Sequence, residues 1–155
     1  MTKNDPVSFK VLLVEDNEVF RRDLAELLKS EFPALLLDEA SNGTEAMEKV
    51  ESFFPNLVFM DIKLPGQNGL EITRRIKAVH PDIHVVFLTS FDYPEYREAA
   101  RGCGSLCFLI KGSTTPQQIL DGVEELWTKG QASCDQSVSN ETPNPALNRN
   151  PIRDW

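Results

Sequence analysis

Leu57-Val58-Phe59-Met60-Asp61 is a short apolar run that ends on a lone carboxylate. The pattern recurs along the chain. Val11-Leu12-Leu13-Val14 ends in Glu15-Asp16, His84-Val85-Val86-Phe87-Leu88 ends in Thr89-Ser90, and Leu106-Cys107-Phe108-Leu109-Ile110 ends in Lys111. Apolar runs without alternation read as strands covered on both faces, as in a parallel sheet. In an open parallel sheet the carboxyl ends of the strands share one edge, where such folds keep their crevice. Three carboxylates, a hydroxyl and an ammonium along one edge point to a divalent metal beside a phosphorylatable aspartate.

Helical periodicity separates these runs. Phe20, Leu24, Leu27 and Leu28 recur at i, i+4, i+7 and i+8, and Pro33 closes that helix. Ala34 to Ala40 reads as a second strand. Asn42 with Glu45 reads as a capping pair for a helix that turns Ala46, Met47 and Val50 inward. After Asp61, the segment from Ile62 to Gly69 reads as a Pro/Gly/Asn loop rather than helix or strand. A helix with Ile72, Ile76 and Val79 on its apolar face follows, and its other side carries Arg74, Arg75 and Lys77 as a solvated face. Asp92 and Glu95 have cap spacing around Pro94 for the next helix, which ends at Gly102 or Gly104. Thr115, Pro116 and Gln118 mark the last helix, which buries Ile119, Val123, Leu126 and Trp127. The expected fold is α/β: a doubly wound, flavodoxin-like (βα)5 three-layer sandwich with parallel strand order 2-1-3-4-5.

Bulk properties narrow the class. A chain of 155 residues, 41% hydrophobic and 26% charged, suits one soluble domain with a real core. The net charge of −8 argues against nucleic acid as a direct partner of the folded body. Cys103, Cys107 and Cys134 lack framework spacing, which reads as reduced thiols in a cytoplasmic protein, with core packing favoured over metal ligation for the first two. Met1 to Ser8 lacks the apolar stretch of a signal peptide, and no run approaches the ~20 residues of a membrane span. Residues 1–130 read as the folded domain. Residues 131–155, rich in Ser, Asn, Pro and Gln, read as a polar, flexible tail without a second core.

Together Glu15-Asp16, Asp61, the Pro65-to-Gly69 loop, Thr89, and Lys111 with Phe108 three residues before it resemble the receiver domain of two-component response regulators, over roughly Phe9 to Gly130. The resemblance implies that Asp61 accepts a phosphoryl group from a histidine kinase or phosphotransfer protein. It implies Mg²⁺ held by Glu15, Asp16, Asp61 and the backbone carbonyl of Lys63, with Lys111 and Thr89 at the phosphoryl oxygens. It implies a switch that couples Thr89 to Phe108 and an output face of Tyr93, Tyr96, Arg97, Phe108 and the start of the last helix, read by an unknown output protein. Such a domain is a switch rather than an enzyme, with only self-phosphorylation and autodephosphorylation. Two positions depart from the common pattern. Gly112 follows the lysine where many receivers carry a cis proline, and a cis bond before glycine costs about 2.5–4 kcal/mol, so a trans bond is expected. Phe91 and Lys63 occupy positions that tune acyl-phosphate lifetime in receivers, and a bulky Phe91 implies slow hydrolysis.

Each residue also has a plainer reading. Asp61 alone suits a turn, Glu15-Asp16-Asn17 and Thr89-Ser90 suit helix caps, Lys111 suits a solvated strand end, and His80 and His84 suit structural roles. As whole-protein alternatives, a haloacid-dehalogenase-type phosphatase uses an aspartate nucleophile after a strand but places an acid where this chain has Lys63. A nucleotide or flavin binder needs a Gly- or Ser/Thr-rich phosphate loop where this chain has Glu15-Asp16-Asn17-Glu18. The wording around Asp61 is most like receivers that precede a DNA-binding helix-turn-helix, yet none follows Gly130 in the sequence, so a single-domain regulator acting through protein contacts is expected. A homodimer stays open.

Overall fold

A computed structural model describes residues 8–129. The expected tail at 131–155, the N-terminal segment before Ser8 and Cys134 lie outside the described residues. Five strands, β1 (Lys10–Val14), β2 (Leu36–Ala40), β3 (Leu57–Met60), β6 (His84–Thr89) and β7 (Cys107–Ile110), form a parallel sheet in the order β2-β1-β3-β6-β7. Counted over the members of this sheet, that is the expected order 2-1-3-4-5. Helices α1 (Glu18–Glu31), α2 (Gly43–Phe53), α3 (Gly69–Val79), α4 (Pro94–Gly102) and α5 (Pro116–Lys129) cover both faces.

The sheet divides the core in two. Val11, Leu13, Leu57, Phe59, Val86, Leu88 and Leu109 pack against α1 and α5 through Leu24, Leu28, Ile119, Val123 and Leu126. The alternate residues Leu12, Val14, Val58, Met60, Val85 and Phe87 pack against α2, α3 and α4 through Ala46, Val50, Ile72, Ile76 and Ala100. Burial on both faces is why these strands carry no polar alternation. Cys103 and Cys107 are buried cysteines outside any disulfide, in opposite halves of the core, which fits packing rather than ligation.

Caps set most helix starts. Asn17 Oδ1 accepts from Phe20 N at 3.0 Å and Asn42 Oδ1 from Glu45 N at 2.8 Å. Thr115 and Gln118 make the reciprocal pair: Thr115 Oγ1 accepts from Gln118 N at 3.2 Å, and Gln118 Oε1 accepts from Thr115 N at 2.8 Å. The expected cap Asp92 does not cap. The N-cap of α4 is Tyr93, without a side-chain bond, and Asp92 Oδ1 instead accepts from Arg97 Nε at 2.7 Å. A charge-assisted bond to a guanidinium outcompetes a neutral backbone N–H.

Five further expectations change. The loop after Asp61 holds a small antiparallel hairpin, β4 (Lys63–Leu64) against β5 (Gln67–Asn68), turned by Gly66 at φ +71°. Strand β2 starts at Leu36 rather than Ala34, because Phe32 to Leu35 form a turn closed by Leu35 N donating to Phe32 O. Val79 is 63% exposed at the C-terminal residue of α3. Met47 and Trp127 are half-buried; the Trp127 ring stacks on Phe9 at 5.5 Å. Within the basic face of α3, Lys77 is not simply solvated: its ammonium donates to Pro81 O and Ile83 O, both at 2.9 Å. His80 has a structural role as expected, paired with Glu51 at 2.9 Å. No cis peptide bond occurs among the described residues, so the Lys111–Gly112 bond is trans. No described helix is long and apolar enough to cross a membrane.

Candidate functional site

Register brings the acids together. One row of paired residues crosses the sheet: Ala40, Val14, Met60, Phe87 and Phe108. One residue past that row, the chain leaves β1 at Glu15 and β3 at Asp61. Pairing continues for that step, with Glu15 N donating to Ala40 O at 3.0 Å and Asp61 N to Val14 O at 3.1 Å. Side-chain alternation then turns Glu15 and Asp61 to the α1/α5 side.

Both carboxylates are buried, while Asp16 is exposed. One oxygen from each of Glu15, Asp16 and Asp61 lies within 4.8 Å of the others. Asp61 Oδ1 accepts from Ile62 N at 2.8 Å, and Asp61 Oδ2 accepts from Lys111 Nζ at 3.3 Å. Lys111 is closer to Glu15, with Nζ to Oε1 at 2.6 Å, and Glu15 Oε2 accepts from Asn17 N at 3.0 Å. Burial pushes the Glu15 carboxyl above its ordinary pKa; the Lys111 and Asn17 hydrogen bonds pull it down, and the Asp61 charge pushes it up again. Desolvation and a like charge both oppose ionisation of this acid, so the site favours a further positive charge. The donor set is all hard oxygen, which fits Mg²⁺ rather than a thiophilic metal.

Thr89 ends β6 fully buried, and its Oγ1 accepts from Phe91 N at 3.3 Å, a long bond. Its carbonyl accepts from Lys111 N at 2.9 Å, which ties the lysine's backbone to β6. Phe108 pairs with Phe87 across the sheet, with ring centroids 6.3 Å apart, and shares its face with Thr89 by alternation. The Arg97 guanidinium lies 5.0 Å from the Phe108 ring. Tyr93 and Tyr96 have centroids 5.3 Å apart beside it. Lys63 is exposed, and its ammonium lies 4.9 Å over the Phe91 ring.

Three further residues shape the site. Gly69 is required by close approach: a Cβ there would overlap the Asp61 carbonyl oxygen. Phe20 presents its ring 4.5 Å from Lys111 Nζ. Arg21, 16% exposed, donates from Nη1 to Glu15 O at 2.8 Å and from Nε to Glu39 Oε1 at 2.7 Å, bracing the acid loop against β2. In the sequence Phe20 reads only as a helix-face residue and Arg21 carries no signal, because both partners lie outside α1.

Comparison with known proteins agrees with this geometry. The family model described as response regulator receiver domain matches residues 11–124. The chemotaxis protein CheY of Halobacterium salinarum is 35% identical over 119 residues, covering 77% of this chain and 97% of that protein. The transcriptional regulatory protein PdtaR of Mycobacterium tuberculosis is 38% identical over 104 residues, 66% of this chain but 49% of that protein. The uncharacterized transcriptional regulatory protein YesN of Bacillus subtilis is 34% identical, and the match spans 32% of it. The chain thus spans a third to a half of those two regulators. Among solved structures, a CheY-like receiver domain protein from Methanospirillum hungatei superposes with a TM-score of 0.72 over 87% of this chain and all of that one, at 21% identity, a likeness of fold alone.

Proposed function

This chain belongs to the response regulator receiver domain family, and from that premise we propose that Asp61 is its phosphoacceptor, served by Mg²⁺, Lys111 and Thr89. A receiver domain is a phosphorylation-dependent signalling switch rather than an enzyme. The finer reading rests above all on one observation: the buried Asp61 carboxylate 3.3 Å from the Lys111 ammonium, within the compact set of Glu15, Asp16 and Asp61 oxygens.

Glu15, Asp16, Asp61 and the backbone carbonyl of Lys63 are the groups that would hold Mg²⁺. When bound, the ion supplies charge neutralisation for the phosphoryl oxygens. An Asp61 oxygen forms the new bond to phosphorus as the nitrogen–phosphorus bond of a phosphohistidine on the kinase or phosphotransfer protein breaks, its electron pair staying on the imidazole. The product is an acyl phosphate on Asp61. The Lys111 ammonium offsets the added charge. The Thr89 hydroxyl donates to a phosphoryl oxygen, a charge-assisted bond worth about 1.5–3 kcal/mol. That is comparable to the few kcal/mol separating two conformers of a loop. The long bond to Phe91 N is a weak competitor for the hydroxyl. Phe108, on the same sheet face, carries the change to Tyr93, Tyr96 and Arg97, where an output protein or a second copy of the chain binds.

The phosphatase alternative lacks its second acid at position 63, where the ammonium instead lies over Phe91. Incubation of the full chain with Mg²⁺ and acetyl phosphate separates the two. A mass gain on Asp61, absent in Asp61→Asn, supports the switch; multiple turnover of a phosphate ester supports the phosphatase. Gel filtration with and without beryllofluoride reads dimerisation.

A further inference from the structure

Lys111 reaches the pocket on a flexible four-carbon stem. Its backbone is tied to Thr89, but Gly112 follows at once in an exposed turn. Its head has two carboxylates and one ring: Glu15 at 2.6 Å, Asp61 at 3.3 Å and the Phe20 centroid at 4.5 Å. The same stretch of Lys111 and Phe20 borders a cavity of about 380 Å³ between α1 and α5. A stem facing that space needs a wall.

We propose that Phe20 is a positioning residue for the Asp61 reaction, holding the Lys111 ammonium at the carboxylates through the face of its ring. The inference rests on the phosphoacceptor reading of Asp61. Its chemistry is specific. A third carboxylate would also hold the ammonium, but it would add negative charge to a pocket that must admit a phosphate donor. An aromatic face attracts the cation while staying neutral. It also keeps its hold when a cation draws Glu15 away from the lysine.

The backbone that carries the ring is itself fixed by the acid loop. Phe20 N donates to Asn17 Oδ1, and Asn17 N donates to Glu15 Oε2, both at 3.0 Å. Glu15 to Asn17, Asn17 to Phe20, Phe20 to Lys111 and Lys111 back to Glu15 therefore close a circuit of four contacts. The helix cap places the backbone of Phe20, and the ring it carries faces the lysine. The bland role for Phe20 is apolar filling beside Leu24 and Leu28 of the α1/α5 core.

Leucine or methionine preserves that filling but removes the face, and tyrosine keeps the face. With acetyl phosphate and Mg²⁺, Phe20→Leu and Phe20→Met are expected to label Asp61 about three- to tenfold more slowly, the weight of one cation–π contact, with Phe20→Tyr recovering most of the rate. In a Lys111→Ala background Phe20→Leu should have no further effect. Without donor, the Lys111 side-chain methylene protons next to the nitrogen should show an upfield ring-current shift that disappears in both aliphatic variants. Wild-type rates in folded Phe20→Leu and Phe20→Met, an equal loss in the Lys111→Ala background, or no ring-current shift would each overturn the proposal. If wild type takes no label, the phosphoacceptor reading fails instead, and the shift still decides whether Phe20 holds the lysine.

Discussion

Lys111 pairs with Glu15 more closely than with Asp61, the proposed phosphoacceptor, at 2.6 Å against 3.3 Å. On the proposed ligand set, the ammonium and Mg²⁺ would share one carboxylate. Removing the ammonium frees Glu15 and deletes a repelling charge. Lys111→Ala should bind Mg²⁺ about three- to tenfold more tightly by calorimetry, since a unit charge a few ångströms away is worth on the order of 1 kcal/mol or more in this setting. Its labelling by acetyl phosphate should fall at least tenfold. Unchanged or weaker Mg²⁺ binding would show that Lys111 and the metal do not compete.

Glu15 gives the metal-free protein a defined pH response. Its folded pKa lies above the ordinary 4.5, mainly through burial, so between those values the native state holds more proton than the unfolded chain. Stability from this group is therefore present at low pH and lost as pH rises through the folded pKa. With chelator present, Glu15→Gln should raise the melting midpoint near pH 7 by roughly 2–5 °C. The gap should narrow as pH falls toward 4.5. A variant that melts below wild type at pH 7 would mean that the Lys111 contact outweighs desolvation.

Gly69 and Gly66 should respond differently to alanine. At Gly69 a Cβ meets the Asp61 carbonyl, backbone that cannot give way without moving Asp61. Gly69→Ala should lose about 1–3 kcal/mol in denaturant unfolding and also lose Asp61 labelling. Gly66 has φ +71° and open space around it. Gly66→Ala should lose about 1–2 kcal/mol from backbone strain with labelling intact.

The Lys63–Phe91 contact should set how long the acyl phosphate lasts. The ring and the ammonium over it lie beside the strand ends that carry Asp61 and Thr89. Phe91→Ala should shorten the phosphoryl half-life by roughly three- to tenfold, and Lys63→Ala by less, because it removes only the cation–π part. A wild-type half-life of seconds, unchanged in Phe91→Ala, would rule out shielding.

Much of this was legible in the chain. Strands closing in Asp61, Glu15-Asp16, Thr89 and Lys111 were readable because burial on both faces leaves continuous apolar runs and each run stops at a polar residue. The caps Asn17, Asn42 and Thr115 were readable because capping is a contact over three residues. Asp92 misled for the same reason: its spacing to Glu95 is right, but Arg97, five residues on, offers a stronger partner. The hairpin at Lys63–Leu64 and Gln67–Asn68 escaped because four paired residues are too few for a period.

The amino-acid order by itself determined which chemical groups arrive at the carboxyl edge of the sheet, since that depends on local hydrophobic pattern and chain direction. Only the folded structure decided which of them touch. The register of β1 on β3 sets Glu15 beside Asp61, Lys111 reaches Asp61 from fifty residues away, and Phe20 meets Lys111 across the gap between α1 and α5. Those contacts follow from strand neighbours and from how a helix is seated on the sheet. Both are set by packing between distant segments, which no local period records.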